Sequence, residues 1–165
     1  MEPLVHLVVP FAALMLHGLE WWRAFLIALL ALLPDLDVFF RVHRSMSHSL
    51  VVVSAVGLPL LFIAYRLEAF GVGCLVLLAV ASHVALDVFA GYTPVLWPLY
   101  GNSMWIQAEL RARISSSGTL APSLKLALKP TRFEEFQTLD AQLFTGEGLI
   151  ISAILVLPVL VKALG

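Results

Sequence analysis

The feature that most constrains this chain is a series of apolar runs about as long as a bilayer is thick. Crossing roughly 30 Å of hydrocarbon takes about 20 apolar residues in a helix, with a lower limit near 17. Five stretches reach or approach that length: 3–19, 24–40, 49–65, 69–90 and 148–164. The chain is 61% hydrophobic and 13% charged, whereas soluble domains run near 45–50% apolar and about 25% charged. At 165 residues it carries more apolar surface than its own core can hide, so a single membrane domain over 1–165 is expected. Ten basic residues nearly offset eleven acidic ones, which excludes the cationic field that nucleic-acid binding requires. The single cysteine, Cys74, excludes an internal disulfide and a cysteine-based zinc ribbon. Glu2 stands where a secretory signal would be basic, and no small-residue cleavage pattern follows the first run, so that run is read as mature structure.

The breaks at 20–23, 41–48 and 66–68 are short, and tight connections make neighbouring helices antiparallel. The expected fold is therefore an all-α integral membrane protein, an antiparallel bundle of about five transmembrane helices. The longer, more polar stretch 95–147 is expected to hold an interfacial helical segment between the fourth and fifth spans. Within it, 104–114 mixes apolar and charged residues, and Thr131-x-x-Glu134 has the capping-box pattern that opens a helix. There is no internal repeat or low-complexity tract. Arg41, Arg44, Arg111, Arg113, Lys125, Lys129 and Arg132 fall on the N-terminal side, against Arg23, Arg66 and Lys162 on the other. Cytoplasmic loops are enriched in Lys and Arg, which puts the N-terminus in the cytoplasm of a cell with this protein in its plasma or inner membrane.

Most informative are the polar residues that remain. Of four aspartates, Asp35, Asp37 and Asp87 lie at or inside the ends of apolar runs, as do four of five histidines, His6, His43, His48 and His83. An ionisable group within a span costs several kcal/mol, so it reads as a paired or functional site. Carboxylates and imidazoles gathered without matching Lys or Arg call for a divalent cation. Tracing the antiparallel runs from a cytoplasmic start brings all seven to one face, while His17 falls at the opposite end of the first run. His83 and Asp87 are four apart, one turn of a helix. Asp35 and Asp37 follow Pro34, where a helix break would let them flank two ions, or serve as one ligand and one orienting group. Seven N and O donors exceed the needs of one tetrahedral zinc, so two ions are expected, zinc first, with manganese or magnesium as alternatives.

Each residue also has a plainer reading. His6 serves as an interfacial histidine, Asp35 and Asp37 as caps after Leu-Leu-Pro, and His43 as a loop residue beside arginines. Arg44 is either a cytoplasmic anchor or a grip on an anionic phosphate oxygen. Ser45, Ser47 and Ser49 suit hydrogen bonding in a loop. Tyr92, Thr93, Pro94, Trp97, Pro98 and Tyr100 make either a membrane-interface belt or the lining of a substrate entrance.

Pro34-Asp35-Leu36-Asp37, His43-Arg44-Ser45-Met46-Ser47-His48-Ser49, Ser82-His83-x-x-x-Asp87 and Thr93-Pro94-x-x-Trp97-Pro98 together resemble the YdjM-like family of membrane-bound metal-dependent hydrolases. His6 matches that family's early histidine, and the resemblance covers about 1–100. It implies a divalent metal and hydrolysis. The leading expectation is thus a hydrolase that cleaves a phosphoester of a membrane lipid at the cytoplasmic face with a metal-activated water. The metal ligands would be His6, Asp35, Asp37, His43, His48, His83 and Asp87. Asp37, Arg44 and Asp87 would act in catalysis, and Arg44, Ser47, Thr93 and Trp97 would meet substrate. The alternatives are a metal-independent phosphohistidine lipid phosphatase using His83 and Asp87, without the Pro-Ser-Gly-His element that would accompany it, and a divalent-metal transporter or sensor. Transport sites usually sit near the midplane, whereas these residues gather at one end.

Overall fold

The computed structural model describes residues 3–113, 119–138 and 145–164. Five α-helices, two stretches of 3₁₀ helix and a β-hairpin follow one another: α1 (Pro3–His17), α2 (Trp21–Leu30), 3₁₀ segments Leu33–Phe40 and Met46–His48, α3 (Leu50–Arg66), α4 (Phe70–Ala90), β1 (Asn102–Arg113), β2 (Thr119–Pro130) and α5 (Gly146–Leu164).

The expected all-α bundle of five spans does not hold. Four of the apolar runs coincide with helices, but among the described residues only Phe70–Ala90 is long and apolar enough to cross a membrane by length and composition, while Pro3–His17 and Leu50–Arg66 are apolar but shorter. The second run fails for a local reason. Pro34 lacks an N–H, and its ring would strike the carbonyl of Leu30, four residues back. The helix accordingly stops at Leu30 and tightens, with Ala31 N–H donating to Ala28 O and Leu32 N–H to Leu29 O. The ten residues of α2 reach only about 15 Å, half of the hydrocarbon thickness.

The expected interfacial helix is instead a hairpin, paired in antiparallel register from Asn102↔Pro130 to Arg113↔Thr119. Its reason is a period of two. Met104, Ile106 and Ala108 pair with Leu128, Leu126 and Leu124 on one face, while Trp105, Gln107 and Glu109 pair with Ala127, Lys125 and Ser123 on the other. Thr131 starts no helix. Its hydroxyl is taken by Ser103 at 3.0 Å, its N–H by Gly101 O, and the chain runs on extended to a bridge between Glu135 and Val42.

α1 packs on α2, α4 and α5, and α4 also on α2, α3 and β1. Where α1, α2 and α4 meet, Leu14, Ala24, Ile27, Ala31 and Ala79 form a small buried cluster, and the alanines let the backbones approach closely. Lys162 of α5 donates to the terminal carbonyls of α1, Leu16 O at 2.8 Å and Met15 O at 3.3 Å. Burial is otherwise inverted. Trp21, Phe25, Leu60, Phe62, Leu78 and Ile154 are exposed, and α3 buries none of its residues, whereas His6, His48, His83 and Asp87 are among the largest fully buried side chains. An apolar exterior around a polar interior is stable only in an apolar surrounding.

Candidate metal centre

The N-terminal end of α1, the C-terminal end of α4 and the connection from α2 to α3 meet, and they carry the polar cluster. His6 comes from the first turns of α1, His83 and Asp87 from the last turns of α4. Asp35 and Asp37 come from the 3₁₀ segment that Pro34 begins, and His48 from the second 3₁₀ turn. Between the two turns the backbone is left-handed at Arg41 (φ 58°) and Arg44 (φ 56°), a conformation costing side-chain-bearing residues about 1–3 kcal/mol unless the surroundings fix it. Here they do. Phe136 N–H donates to Arg41 O, Val42 bridges to Glu135, and Ser45 N–H donates to Asp37 Oδ2 at 2.8 Å.

His48 Nε2 lies 3.4 Å from Asp35 Oδ1, 3.3 Å from Asp87 Oδ2 and 3.3 Å from His83 Nε2. His83 Nε2 lies 3.3 Å from Asp35 Oδ1 and 4.0 Å from Asp87 Oδ2. Ligands at about 2.0–2.1 Å from one tetrahedral ion are separated by about 3.3–3.4 Å. Asp35, His48 and His83 therefore stand at the spacing that one zinc-sized ion imposes, with Asp87 at that distance from His48 and somewhat farther from His83. Two triads present one donor atom each within 4.8 Å of one another: His6, His83 and Asp87, all buried, and Asp35, His43 and His48. They touch at the contact between His48 and His83. Among the described residues, the buried Nδ1 atoms of His6 and His83 make no hydrogen bond, unusual for buried polar atoms. Buried imidazoles whose Nε2 atoms face carboxylates fit a divalent cation.

The remaining residues orient these donors. Asp37 Oδ2 lies 3.2 Å from Nδ1 of His48, the nitrogen opposite the one facing the cluster, and accepts from the Ser47 hydroxyl at 3.2 Å. A carboxylate behind an imidazole is the usual orienting partner of a metal-binding histidine. Burial pulls the His48 imidazole down, but Asp35 and Asp37 outweigh it and push it up to about 9, so the carboxylates select positive charge at this position. His43 sits at the rim, half-exposed, with Nδ1 3.8 Å from Asp37 Oδ1. His6 stacks on His83 at 3.8 Å between ring centroids and sets Nε2 3.2 Å from Asp87 Oδ1.

Arg44 forks onto Asp87, with Nε 3.3 Å from Oδ2 and Nη2 3.4 Å from Oδ1. Its Nη1 lies over Gly91, where a Cβ would collide with it. Gly91→Ala is therefore expected to lower stability by about 1–3 kcal/mol, the cost of overpacking, by pushing Arg44 off Asp87. In an Arg44→Ala background the same change should cost less than about 0.5 kcal/mol, a coupling that a double-mutant cycle in denaturant measures directly.

Thr93 and Trp97 lie in the loop after α4. Thr93 is buried, its hydroxyl donating to Gly91 O at 3.2 Å and its N–H to Met104 O. Trp97 packs edge-on against Phe133, and its carbonyl accepts from the Ser49 hydroxyl. Ser49 and Gly91 are the positions that sequence reasoning underweighted. Ser49 caps α3 through Val51 and Val52 N–H and ties that end to the loop after α4, a role signalled by a serine just ahead of an apolar run. Gly91 had no signal beyond closing the α4 pattern.

A family model described as YdjM inner membrane protein matches residues 1–163, so the likeness extends past the motifs of the first hundred residues to the hairpin and α5. No curated protein and no solved structure matches the chain.

Proposed function

The chain belongs to the YdjM inner membrane protein family, and from that premise we propose that it is a membrane-embedded metal-dependent hydrolase acting on a phosphoester of a membrane lipid. The observation that carries the reading is the buried junction of two donor triads, with an arginine at its edge, inside an otherwise apolar shell. We read His6, His83 and Asp87 as holding one ion and Asp35, His43 and His48 as holding a second, zinc by donor type. Three protein donors per ion leave a position free for chemistry, as catalytic sites do. The chemistry such ions supply is Lewis acidity, which polarises an ester oxygen and makes water acidic enough to ionise near neutral pH.

The chain's own groups then have distinct work. Asp37 fixes the His48 ring, and His6 with Arg44 fixes the Asp87 carboxylate. Two donors of Arg44 are spent on Asp87 and three remain for an anionic oxygen at the edge of the cluster. Asp37, whose Oδ1 faces the half-exposed His43 at 3.8 Å, is the carboxylate we assign to pass a proton toward the edge of the cluster. The apolar exterior makes a lipid the economical substrate, and the basic residues of the 41–44 loop support a site on the cytoplasmic side.

Purified protein assayed on a panel of phospholipids with added Zn, Mn or Mg should release headgroup or phosphate, with turnover removed by EDTA and abolished by His83→Ala. Turnover that survives EDTA would instead favour a phosphohistidine mechanism, and metal flux into proteoliposomes without lipid cleavage would make the site a transport site. Metal stoichiometry discriminates further. Two equivalents per chain fit the two triads, whereas one would mean that Asp35, His48, His83 and Asp87 close on a single ion, an arrangement typical of structural zinc.

A further inference from the structure

A groove of about 470 Å³ runs between α3 and α4, within the roughly 300–1,000 Å³ of small-molecule sites. Its walls include Val53, Val56 and Leu60 of α3 and Val72, Val76 and Val80 of α4, and Ser47 brings its single polar side chain. Along α3 the lining extends from Val52 to Ala64, about 18 Å of helix. The helices are held against each other at Gly57, whose Cα faces Leu77, and at Gly73, which faces Leu61 and Ala64 at distances a Cβ would find crowded. One end reaches the turn between the helices at Ala64 and Ala69, and the other reaches Leu33, Pro34 and Ser47. There the Ser47 hydroxyl sits 2.9 Å from Pro34 O, 3.2 Å from Asp37 Oδ2 and 3.1 Å from His48 Nδ1. A long apolar slot whose polar end abuts the donor cluster has the shape of an amphiphile.

We infer that this groove seats one acyl chain of a lipid, with the chain's head end at Pro34 and Ser47 and its methyl end toward the α3–α4 turn. The inference rests on the hydrolase reading for the identity of the head-end chemistry and gives that reading a substrate class, a lipid with at least one long hydrocarbon chain. Because bilayer tails are as apolar as the groove, the chain is selected by packing and by continuity with its headgroup rather than by escape from water.

The probe is phosphatidic acid in nanodiscs, with a palmitoyl chain bearing a photoactivatable diazirine at its methyl end. Illumination of the full-length protein should concentrate adducts on Leu60, Ala64 and Val72. Val56→Trp, which fills the groove from an exposed position, should cut that labelling at least about tenfold, the ratio that 1.4 kcal/mol of lost packing produces. Val76→Phe serves as the second variant, so that poor folding of one leaves the test intact. Focused labelling supports the groove even where no EDTA-sensitive turnover is found, a result that sinks only the hydrolase reading. Adducts spread evenly over α1, α2 and α5 and indifferent to both variants would overturn the groove while leaving hydrolysis standing. Crosslinks joining α3 of two copies in place of lipid adducts would overturn it too.

Discussion

Replacing His48 with alanine is expected to weaken metal binding at the junction of the two triads and to remove metal-dependent turnover with it. His48 touches Asp35, Asp37, Asp87 and His83 at once, at 3.2–3.4 Å. Changing a group that merely orients a metal ligand costs about 10–100-fold in affinity, so loss of the ligand itself should exceed about a hundredfold. The two levels separate within one experiment. Asp37→Asn keeps the shape of the group behind His48 but weakens its hold, and should fall in the 10–100-fold range, with the fold intact. His48→Ala also leaves buried carboxylates facing one another without the imidazole between them, and breaking a buried ion pair from one side costs about 3–5 kcal/mol. Metal content and zinc titration of the wild type, His48→Ala and Asp37→Asn measure the series. Equal zinc affinity in all three would remove this cluster from consideration as a metal site.

The residues of this site were legible in the sequence because their cost is visible there. His83 and Asp87 interrupt an apolar helix, and His6, Asp35 and Asp37 stand in apolar runs, positions where an ionisable group needs a partner. Counting helix ends brought them to one face, and they do lie together. What the sequence reading lacked was the division of labour: Asp37 and Ser47 behind His48, His6 against His83, Arg44 clamped on Asp87 over Gly91. Those roles depend on side-chain directions within an irregular stretch, 33–48, that has no periodicity to read.

The fold was legible unevenly, and for identifiable reasons. Apolar length marks a helix well, so the ends of α1, α3, α4 and α5 fell near their expected places. It marks a membrane span less well. Pro34 sits inside a run of sufficient length and stops its helix at Leu30, which converts an expected span into a short helix followed by the 3₁₀ segment that carries Asp35 and Asp37. The same break thus destroys the span and builds the site. In 102–130 the signal was present but misassigned. Alternation of apolar and polar residues at Ile106, Gln107, Ala108, Glu109 and again at Leu124, Lys125, Leu126 is the signature of a half-exposed strand, whereas an interfacial helix would need apolar residues three and four apart.

Zinc is expected to raise the thermal stability of the wild-type protein steeply, a result independent of any substrate. A ligand that binds only the folded state adds about 4 kcal/mol at a thousand times its Kd, which for a chain of this size corresponds to roughly 8–16 °C in Tm. The physical source is charge. Asp35, Asp37 and Asp87 converge, and Arg44 spends both of its bonds there on Asp87. Ions held by the two triads would tie α1 to α4 through His6, His83 and Asp87, and one 3₁₀ turn of the α2–α3 connection to the next through Asp35, His43 and His48, so these segments would have to part before the chain unfolds. Asp87→Asn preserves the size of the side chain but takes a charge from the centre of that set, and should lose most of the zinc-dependent shift. His17→Ala changes a histidine at the far end of α1 and should keep all of it. If the shift were absent in the wild type, or were lost with His17 and kept without Asp87, the stabilising ion would have to bind elsewhere on the chain.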